Sequence, residues 1–559
     1  MTNFTNPVTF RLLKFLYRET AGSKFRVVGM SVVSGLSRGA LLAIFNAGAA
    51  AAAAANNNIA PLIGAFVVAL AIYLASTFDS VRSAQVAVQT MIERLRLRLC
   101  TKLLHTQLRF LERQGTGELY TQLSHDLNQL AGATTTFLGV FQAFILVGFA
   151  LAYLAWLSPW ALLSAVVVIA AGAGAAYVQD RKARKHLQKA RRLQKQFFDG
   201  INDLLQGFKE LKLSRAHQAG LMEHLDETAT SYRDLTIKTE TLFLGSFLSS
   251  QAFTFLMIAV LVFGMPLMAP EHGVTVFQFL ATVLFLVGPF ETLSRAVPTA
   301  ARARVALDSV ERLEANLNEG ISLEEHRPTA SPPLNFHDIE FKATEFAFSG
   351  EHDDEHFDVG PLELKLKRNE IVFIVGGNGA GKTTFLKLLS GLYEPTEGAI
   401  LVNGEEVTAA QRQAYREMFA AVFSDFHLFK RLYGVDVSDP ALMDALLGEL
   451  EIGHKTRLHN GMMTTVNLSA GQRKRLAYAI SRLANRQVYV FDEFAADQDP
   501  QFRRYFYTEL LPRLKADGKT IIAVTHDDRW FGVADRVVKM EYGRIAEIDE
   551  HNHSTHVPA

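Results

Sequence analysis

Cysteine is nearly missing from these 559 residues: Cys100 is the single one, which excludes an internal disulfide and fits a chain whose soluble parts sit in a reducing compartment. Net charge is missing as well. Lys plus Arg and Asp plus Glu both number 57, so no global basic surface is present and no nucleic-acid partner is expected. The first twenty residues lack the compact apolar stretch and small-residue cleavage site of a signal peptide. There, Arg11, Lys14 and Arg18 alternate with Phe10, Leu12, Leu13, Phe15 and Leu16, which predicts an amphipathic helix lying on a membrane surface.

Charge is also scarce in six long apolar segments, at about 27–48, 59–78, 136–157, 160–178, 243–264 and 274–294. Each is long enough to cross a bilayer core of about 30 Å, which takes about 20 helical residues. The whole chain is too long for one core. Its organisation reads as a lipid-solvated unit over 1–307, a polar linker over 308–334 ending in Pro332-Pro333, a soluble unit over 335–547 and a disordered tail over 548–559.

Loops after the first, third and fifth spans are short and nearly free of Lys and Arg; they include Asn56-Asn57-Asn58, Ser158-Pro159 and Pro270-Glu271-His272. The other connections are long and basic, with Arg82, Arg94, Arg96, Arg98 and Lys102 after span two and Arg181, Lys182, Arg184 and Lys185 after span four. By the positive-inside rule these connections and both termini are cytoplasmic. Gly and Pro are missing from 80–108 and 179–198, which predicts that the spans continue as helices beyond the bilayer. The turn regions Gln114–Leu119 and Gly207–Lys212 are then where a soluble domain would grip.

A charge in lipid costs several kcal/mol and usually faces a bundle interior or a watery cavity. Arg38, Asp79, Glu291 and Arg295 are the residues concerned. At the span ends, Asp79 and Arg295 fit interfacial snorkelling as well as a cavity role, whereas Arg38 and Glu291 lie deeper and point to a cavity. Two His-containing segments, 351–356 and 551–556, lack tetrahedral ligand spacing on fixed elements and read as a solvated loop and a disordered tail.

The C-terminal half carries chemistry. Ile371–Val375 is a short buried-strand run followed by Gly376-Gly377-Asn378-Gly379-Ala380-Gly381-Lys382-Thr383-Thr384 and a helical run, which is G-x-x-x-x-G-K-T in its strand–loop–helix setting. Backbone N–H groups of such a loop hold the phosphates of ATP, Lys382 reaches the β/γ oxygens and Thr383 ligates Mg²⁺. A second apolar strand, Val488–Phe491, ends in Asp492 and Glu493; Asp492 is placed for Mg²⁺ and Glu493 to deprotonate the attacking water. A third, Ile521–Val524, delivers Thr525-His526-Asp527, with His526 in reach of the γ-phosphate.

Leu468-Ser469-Ala470-Gly471-Gln472, ahead of a basic helix beginning Arg473-Lys474-Arg475, resembles the LSGGQ signature of ABC transporters. The resemblance covers essentially the whole chain and implies an α-helical six-span transmembrane domain fused to an α/β P-loop nucleotide-binding domain, the type IV exporter half-transporter fold. It further implies that the signature of one subunit closes over ATP held by the loop of the other, so that one copy of each motif per chain means a homodimer with two composite sites. By the same resemblance Asp499 looks like the D-loop aspartate and Phe348 like the aromatic that stacks on adenine. Ala470 stands where the pattern has glycine, Phe348 where tyrosine is commoner, and Ser424 where most relatives have a Mg²⁺-contacting glutamine, a role a serine hydroxyl takes through a water.

The stretch Phe423–Phe429, the Gly-Gly-Asn-Gly loop and the run Asp492–Pro500 resemble the bacterial cyclic-peptide exporter branch, which includes exporters of pyoverdine-type siderophore precursors, syringomycin-type lipopeptides and microcin-type peptides. That implies an inner-membrane protein moving a non-ribosomal or cyclised peptide from the cytoplasm to the periplasm. A lipid or hydrophobic-drug exporter or flippase is the alternative. No motif names a periplasmic efflux partner.

Overall fold

In the computed structural model the described residues are 24–53, 60–114, 119–120, 122–264, 273–320, 334–347, 358–435 and 440–551. The N-terminal amphipathic segment, the loops at 56–58 and 270–272, Phe348, residues 351–356 and the tail beyond residue 551 lie outside them. The chain divides into two compact units, one of Met1–Thr101 with Gly115–Asn316 and the other of Lys102–Gln114 with Leu317–Ala559.

Among the described residues, six helices are long and apolar enough to cross a membrane. They are built as α1 (Lys24–Ala53), α2 (Ala60–Leu104), then after short α3 (Leu108–Gln114), α4 (Leu127–Leu157), α5 (Pro159–Gln206), then after short α6 (Phe208–Leu213), α7 (Arg215–Ala259) and α8 (Gly273–Gly320). At 45 residues, α2 is about 68 Å long, roughly twice the bilayer core, because nothing in its sequence breaks the backbone ladder. Pro159 starts α5 at a position where its missing N–H is no loss.

Helix packing in this unit follows side-chain size. Gly35 and Gly39, four residues apart on α1, take Ile145 and Phe149 of α4 so closely that a Cβ on either would lie 2.6 Å from those side chains. This is the small-x-x-x-small device by which helices meet where no water drives them together. Ser31 and Ser80 share a hydrogen bond of 2.7 Å, as do Ser34 and Thr77, tying α1 to α2. Outward, Ile63, Phe66, Val67 and Leu74 stay exposed, as lipid solvation allows.

Helix α8 corrects the expected linker. Its apolar rhythm does not fade at residue 308: Ala303, Ala306, Leu307, Val310, Leu313 and Leu317 recur at helical spacing and are buried, so the helix runs to Gly320.

Among the described residues the nucleotide half has two large sheets and a small two-stranded one of β7 (Leu458–His459) and β8 (Met462–Met463). A four-stranded antiparallel sheet has β1 (Asp338–Ala347), β2 (Asp358–Lys367), β4 (Glu397–Val402) and β5 (Glu405–Glu406) in the order β2-β1-β4-β5. The larger sheet runs β12-β11-β3-β10-β9-β6, from β3 (Ile371–Val375), β6 (Phe419–Val422), β9 (Val488–Asp492), β10 (Thr520–Val524), β11 (Arg536–Glu541) and β12 (Arg544–Glu550). All but β12 are parallel, and alternate residues feed two cores: Phe373, Tyr489, Phe491 and Ile521 on one face, Val372, Ile374, Val490 and Ile522 on the other. Covered faces explain why these strands read as unbroken apolar runs. The expected tail begins later than residue 548, since a turn at Tyr542-Gly543 returns the chain along β11 and pairs Ile548 with Val538.

Candidate nucleotide-binding site

Parallel register brings the three motif strands out on one edge. In the centre, β10 pairs Val524 with both Ile374 of β3 and Asp492 of β9, so the Gly-rich loop, the Asp492-Glu493 pair and Thr525-His526 leave the sheet side by side. Beyond β9, β6 pairs Val422 with Phe491 and delivers Ser424 to the same edge. Crevices at the carboxyl ends of parallel strands are where this architecture takes ligands.

The loop from Gly376 to Gly381 turns from β3 into α9 (Lys382–Leu389), with Thr383 and Thr384 in the first helical turn. Gly376 has φ +151°, and a Cβ there would lie 2.3 Å from the Met540 carbonyl oxygen, which only glycine allows. Lys382 donates to the carbonyls of Gly376 and Gly377, both at 2.9 Å, holding its ammonium over the loop. Burial pulls the Lys382 pKa below its usual value, partly offset by the Glu493 and Asp492 carboxylates.

Asp492 is 1% exposed and is the hub. Its Oδ2 accepts from Thr383 Oγ1 at 3.3 Å and from Ser424 Oγ at 3.0 Å. One carboxylate and two hydroxyls converging on a point make the hard oxygen set that Mg²⁺ takes, so these residues fit that ion. Glu493 follows with φ +49°, an uncommon conformation for a residue with a side chain, and its carbonyl accepts from Lys474 at 2.8 Å. Glu493 Oε1 lies 3.2 Å from His526 Nε2. Behind His526, Tyr507 and Thr525 share a hydrogen bond of 2.6 Å and Thr525 Oγ1 accepts from Asp527 N, so the end of β10 is held firmly.

The signature opens the helix α12, which follows α10 (Arg412–Arg416) and α11 (Pro440–Glu449) and spans Ala470–Leu483. Ser469 caps it, accepting from Gln472 N while Gln472 Oε1 accepts from Ser469 N, a reciprocal box. At Gly471 a Cβ would lie 2.6 Å from the Asp497 carbonyl oxygen, so the segment after Glu493 passes directly over the helix start. Ala470, Arg473 and Lys474 face Ser424, Asp425 and Phe426 across a cavity of about 270 Å³ that Asp497 also lines.

Sequence reasoning missed the residues that join these parts. Lys474 and Arg475, which the sequence shows only as the start of a basic helix, are both buried. Lys474 pairs with Asp497 at 2.7 Å besides holding Glu493, and Arg475 reaches Gln498 at 2.9 Å and Asp499 at 2.5 Å while stacking over Phe502. Asp499 caps the next helix, α13 (Pro500–Tyr505), by accepting from Phe502 N. That N–H and the Arg475 guanidinium hold its carboxyl below the usual carboxylate range. The spacing of the basic residues is a signal, but charge alone does not tell an inward from an outward face.

In the membrane unit the charged residues separate. Asp79 forms a two-pronged pair with Arg26, at 2.6 and 3.0 Å, which accounts for its charge without a cavity. The Arg38 guanidinium lies beside Gly288 of α8, 3.4 Å from where a Cβ would be. Glu291 accepts from Gln251 at 3.4 Å and lines a small cavity, while Arg295 lies over the Phe247 ring.

Two ABC transporter families match the chain, the transmembrane region over residues 27–291 and the ATPase over 359–496. With the six spans, the parallel sheet and the strand-end site, the chain belongs to the ABC transporters: it is an ATP-binding, ATP-hydrolysing, multi-pass membrane transporter with the exporter half-transporter arrangement. Among individual proteins it is 32% identical to the ATP-binding protein SyrD of Pseudomonas syringae pv. syringae, over 96% of this chain and 95% of that one. It is 24% identical to the ATP-dependent lipid A-core flippase of Chromobacterium violaceum, over 82% and 80%. Its fold matches a bacterial Atm1-family ABC exporter with ATP bound, at TM-score 0.76 and 20% identity, covering 94% of this chain and 96% of the other.

Proposed function

We propose that the chain works as a homodimer in the bacterial inner membrane, nucleotide domains in the cytoplasm, and exports a cyclic or non-ribosomal peptide to the periplasm by alternating access. The single observation that carries the engine is the convergence of Thr383 and Ser424 on Asp492, with Glu493 and His526 in contact beside it. The backbone from Gly376 to Thr384 cradles the phosphates and Lys382 neutralises the β/γ oxygens. Thr383 and Asp492 would hold Mg²⁺, with Ser424 acting through a water, and the ion would supply charge neutralisation. Glu493 takes the proton of the attacking water, and His526 both orients Glu493 and faces the γ-phosphate. Ser469, Ala470, Gly471, Gln472 and Asp499 of the second copy complete each site, and Phe348 stacks on adenine.

Arg38 on α1 and Glu291 on α8 support a peptide as the cargo, since opposite charges set apart in apolar spans suit an amphipathic zwitterion that supplies their partners. Similarity to lipid A-core flippases favours a lipid as the second reading. Sealed inside-out vesicles carrying the purified chain decide between them when offered a panel of cyclic peptides, lipids and dyes. ATP-dependent accumulation of a peptide is expected; movement of lipid or dye alone, or of nothing, overturns the peptide assignment.

A further inference from the structure

The cavity that Glu291 lines is a groove between two helix faces. Helix α7 contributes Phe247, Ser250, Gln251, Thr254 and Phe255, and α8 contributes Val287, Phe290, Glu291 and Ser294, at the three- and four-residue spacings that put side chains on one stripe. Among the described residues, Gln251 is the one polar partner of Glu291 and no Lys, Arg or His pairs with it. A carboxylate among three phenylalanines is therefore left with hydrogen-bonding capacity toward the cavity, a costly arrangement unless a ligand uses it. Phe247 already holds the Arg295 guanidinium 5.8 Å from its ring centroid, so the groove attracts cations through its rings as well as through Glu291. Phe255, 67% exposed, stands at the mouth.

Size narrows the class. The cavity measures about 30 Å³, room for a group the size of a water molecule or two. A primary ammonium fits such a space, and a trimethylammonium does not. Gln251, Ser250, Thr254 and Ser294 supply oxygens for the ammonium protons that Glu291 leaves over.

We infer that the groove between α7 and α8 is a subsite for a primary ammonium group borne on an apolar body, with Glu291 as its counter-ion and Phe247, Phe255 and Phe290 as its walls. This rests on the export reading and names the part of the cargo that the site takes: an amine-bearing side chain or a free amino terminus.

The test uses the full chain in lipid nanodiscs with decylammonium, decyltrimethylammonium and decanol as probes, read by thermal stabilisation and by ATPase stimulation. Decylammonium should act at a concentration about tenfold below decyltrimethylammonium and decanol, as a desolvated ion pair and ring contacts together allow. Glu291→Gln should remove that preference, Glu291→Asp should restore part of it, and Arg295→Gln, which takes a like charge from the groove, should sharpen it. Equal potency of the three probes on the unaltered chain, or an unchanged preference in a folded Glu291→Gln protein, overturns the subsite. Should Glu291→Gln not fold, Glu291→Leu, an apolar residue suited to this span, replaces it, and a retained preference there overturns the subsite equally. Ammonium preference with no peptide movement in vesicles leaves the subsite standing and removes the peptide reading; peptide movement without ammonium preference does the reverse.

Discussion

The two halves of the chain deploy their polar groups in opposite ways. In the nucleotide half they crowd onto one edge of one sheet, where Lys382, Thr383, Ser424, Asp492, Glu493, Lys474 and His526 bond to one another or to the loop backbone. In the membrane half they are spread thinly along helices in contacts of two or three residues, Ser31 and Gln142 with Ser80, Ser34 with Thr77, Gln179 with Ser249 at 2.9 Å. Water explains the contrast. A soluble domain gets its framework from apolar burial and can gather its polar groups for chemistry, whereas helices in lipid have no such drive and use single polar contacts and small residues to find one another.

Loss of one oxygen in the crowded half should therefore do more than any comparable change in the sparse one. Glu493→Gln keeps the shape of the site and removes the base, so hydrolysis should fall by about 10²-fold or more while ATP still binds and the closed dimer accumulates. Turnover near that of the unaltered chain would remove Glu493 as the base and, with it, the claim that this edge concentrates the chemistry.

The next largest effect tests whether the crowded edge is complete within one chain. Ser469→Arg places bulk and charge at the start of α12 and should abolish hydrolysis with nucleotide binding retained, and Lys382→Ala should abolish it through the loop. Mixed dimers of the two variants hold one undamaged composite site and one with both lesions, and should recover part of the ATPase rate. A crosslink joining Ser469 to Lys382 within one chain would put the whole site in a single subunit.

Asp499 gives the smallest effect. Its carboxyl titrates below the usual range because Phe502 N–H and Arg475 favour the charged form, so it stabilises the fold above that range and the contribution disappears as pH falls through its lowered pKa. Asp499→Asn keeps a good helix cap but does not titrate. The variant should melt slightly below the unaltered chain at about pH 7, and the gap should close on the acid side, down to about pH 3, in a series of thermal scans. An equal acid-side loss in both would show that other carboxylates carry the whole dependence.

Much of this arrangement is legible from residue order. The apolar spans, the three strands and the loop between Val375 and Lys382 read directly, because lipid thickness, sheet burial and phosphate binding each impose a local pattern on consecutive residues. The end of α8 was not read, since polar residues between Leu307, Val310, Leu313 and Leu317 disguise a periodic buried stripe as a linker. Nor were the partners of Lys474 and Arg475, which come from the segment after Glu493 and leave no mark on the basic run itself.

What the sequence by itself determined is the set of parts: six spans, a phosphate-binding loop, two strand-end carboxylates, a histidine and a signature, each specified within a few neighbouring residues. Only the tertiary structure decided which parts meet. Ser424 reaches Asp492 from 68 positions away, His526 reaches Glu493 from 33, and Gln251 reaches Glu291 from 40. Those encounters follow from parallel strand order and from which helix faces pack together, and both depend on contacts between segments that no local pattern encodes.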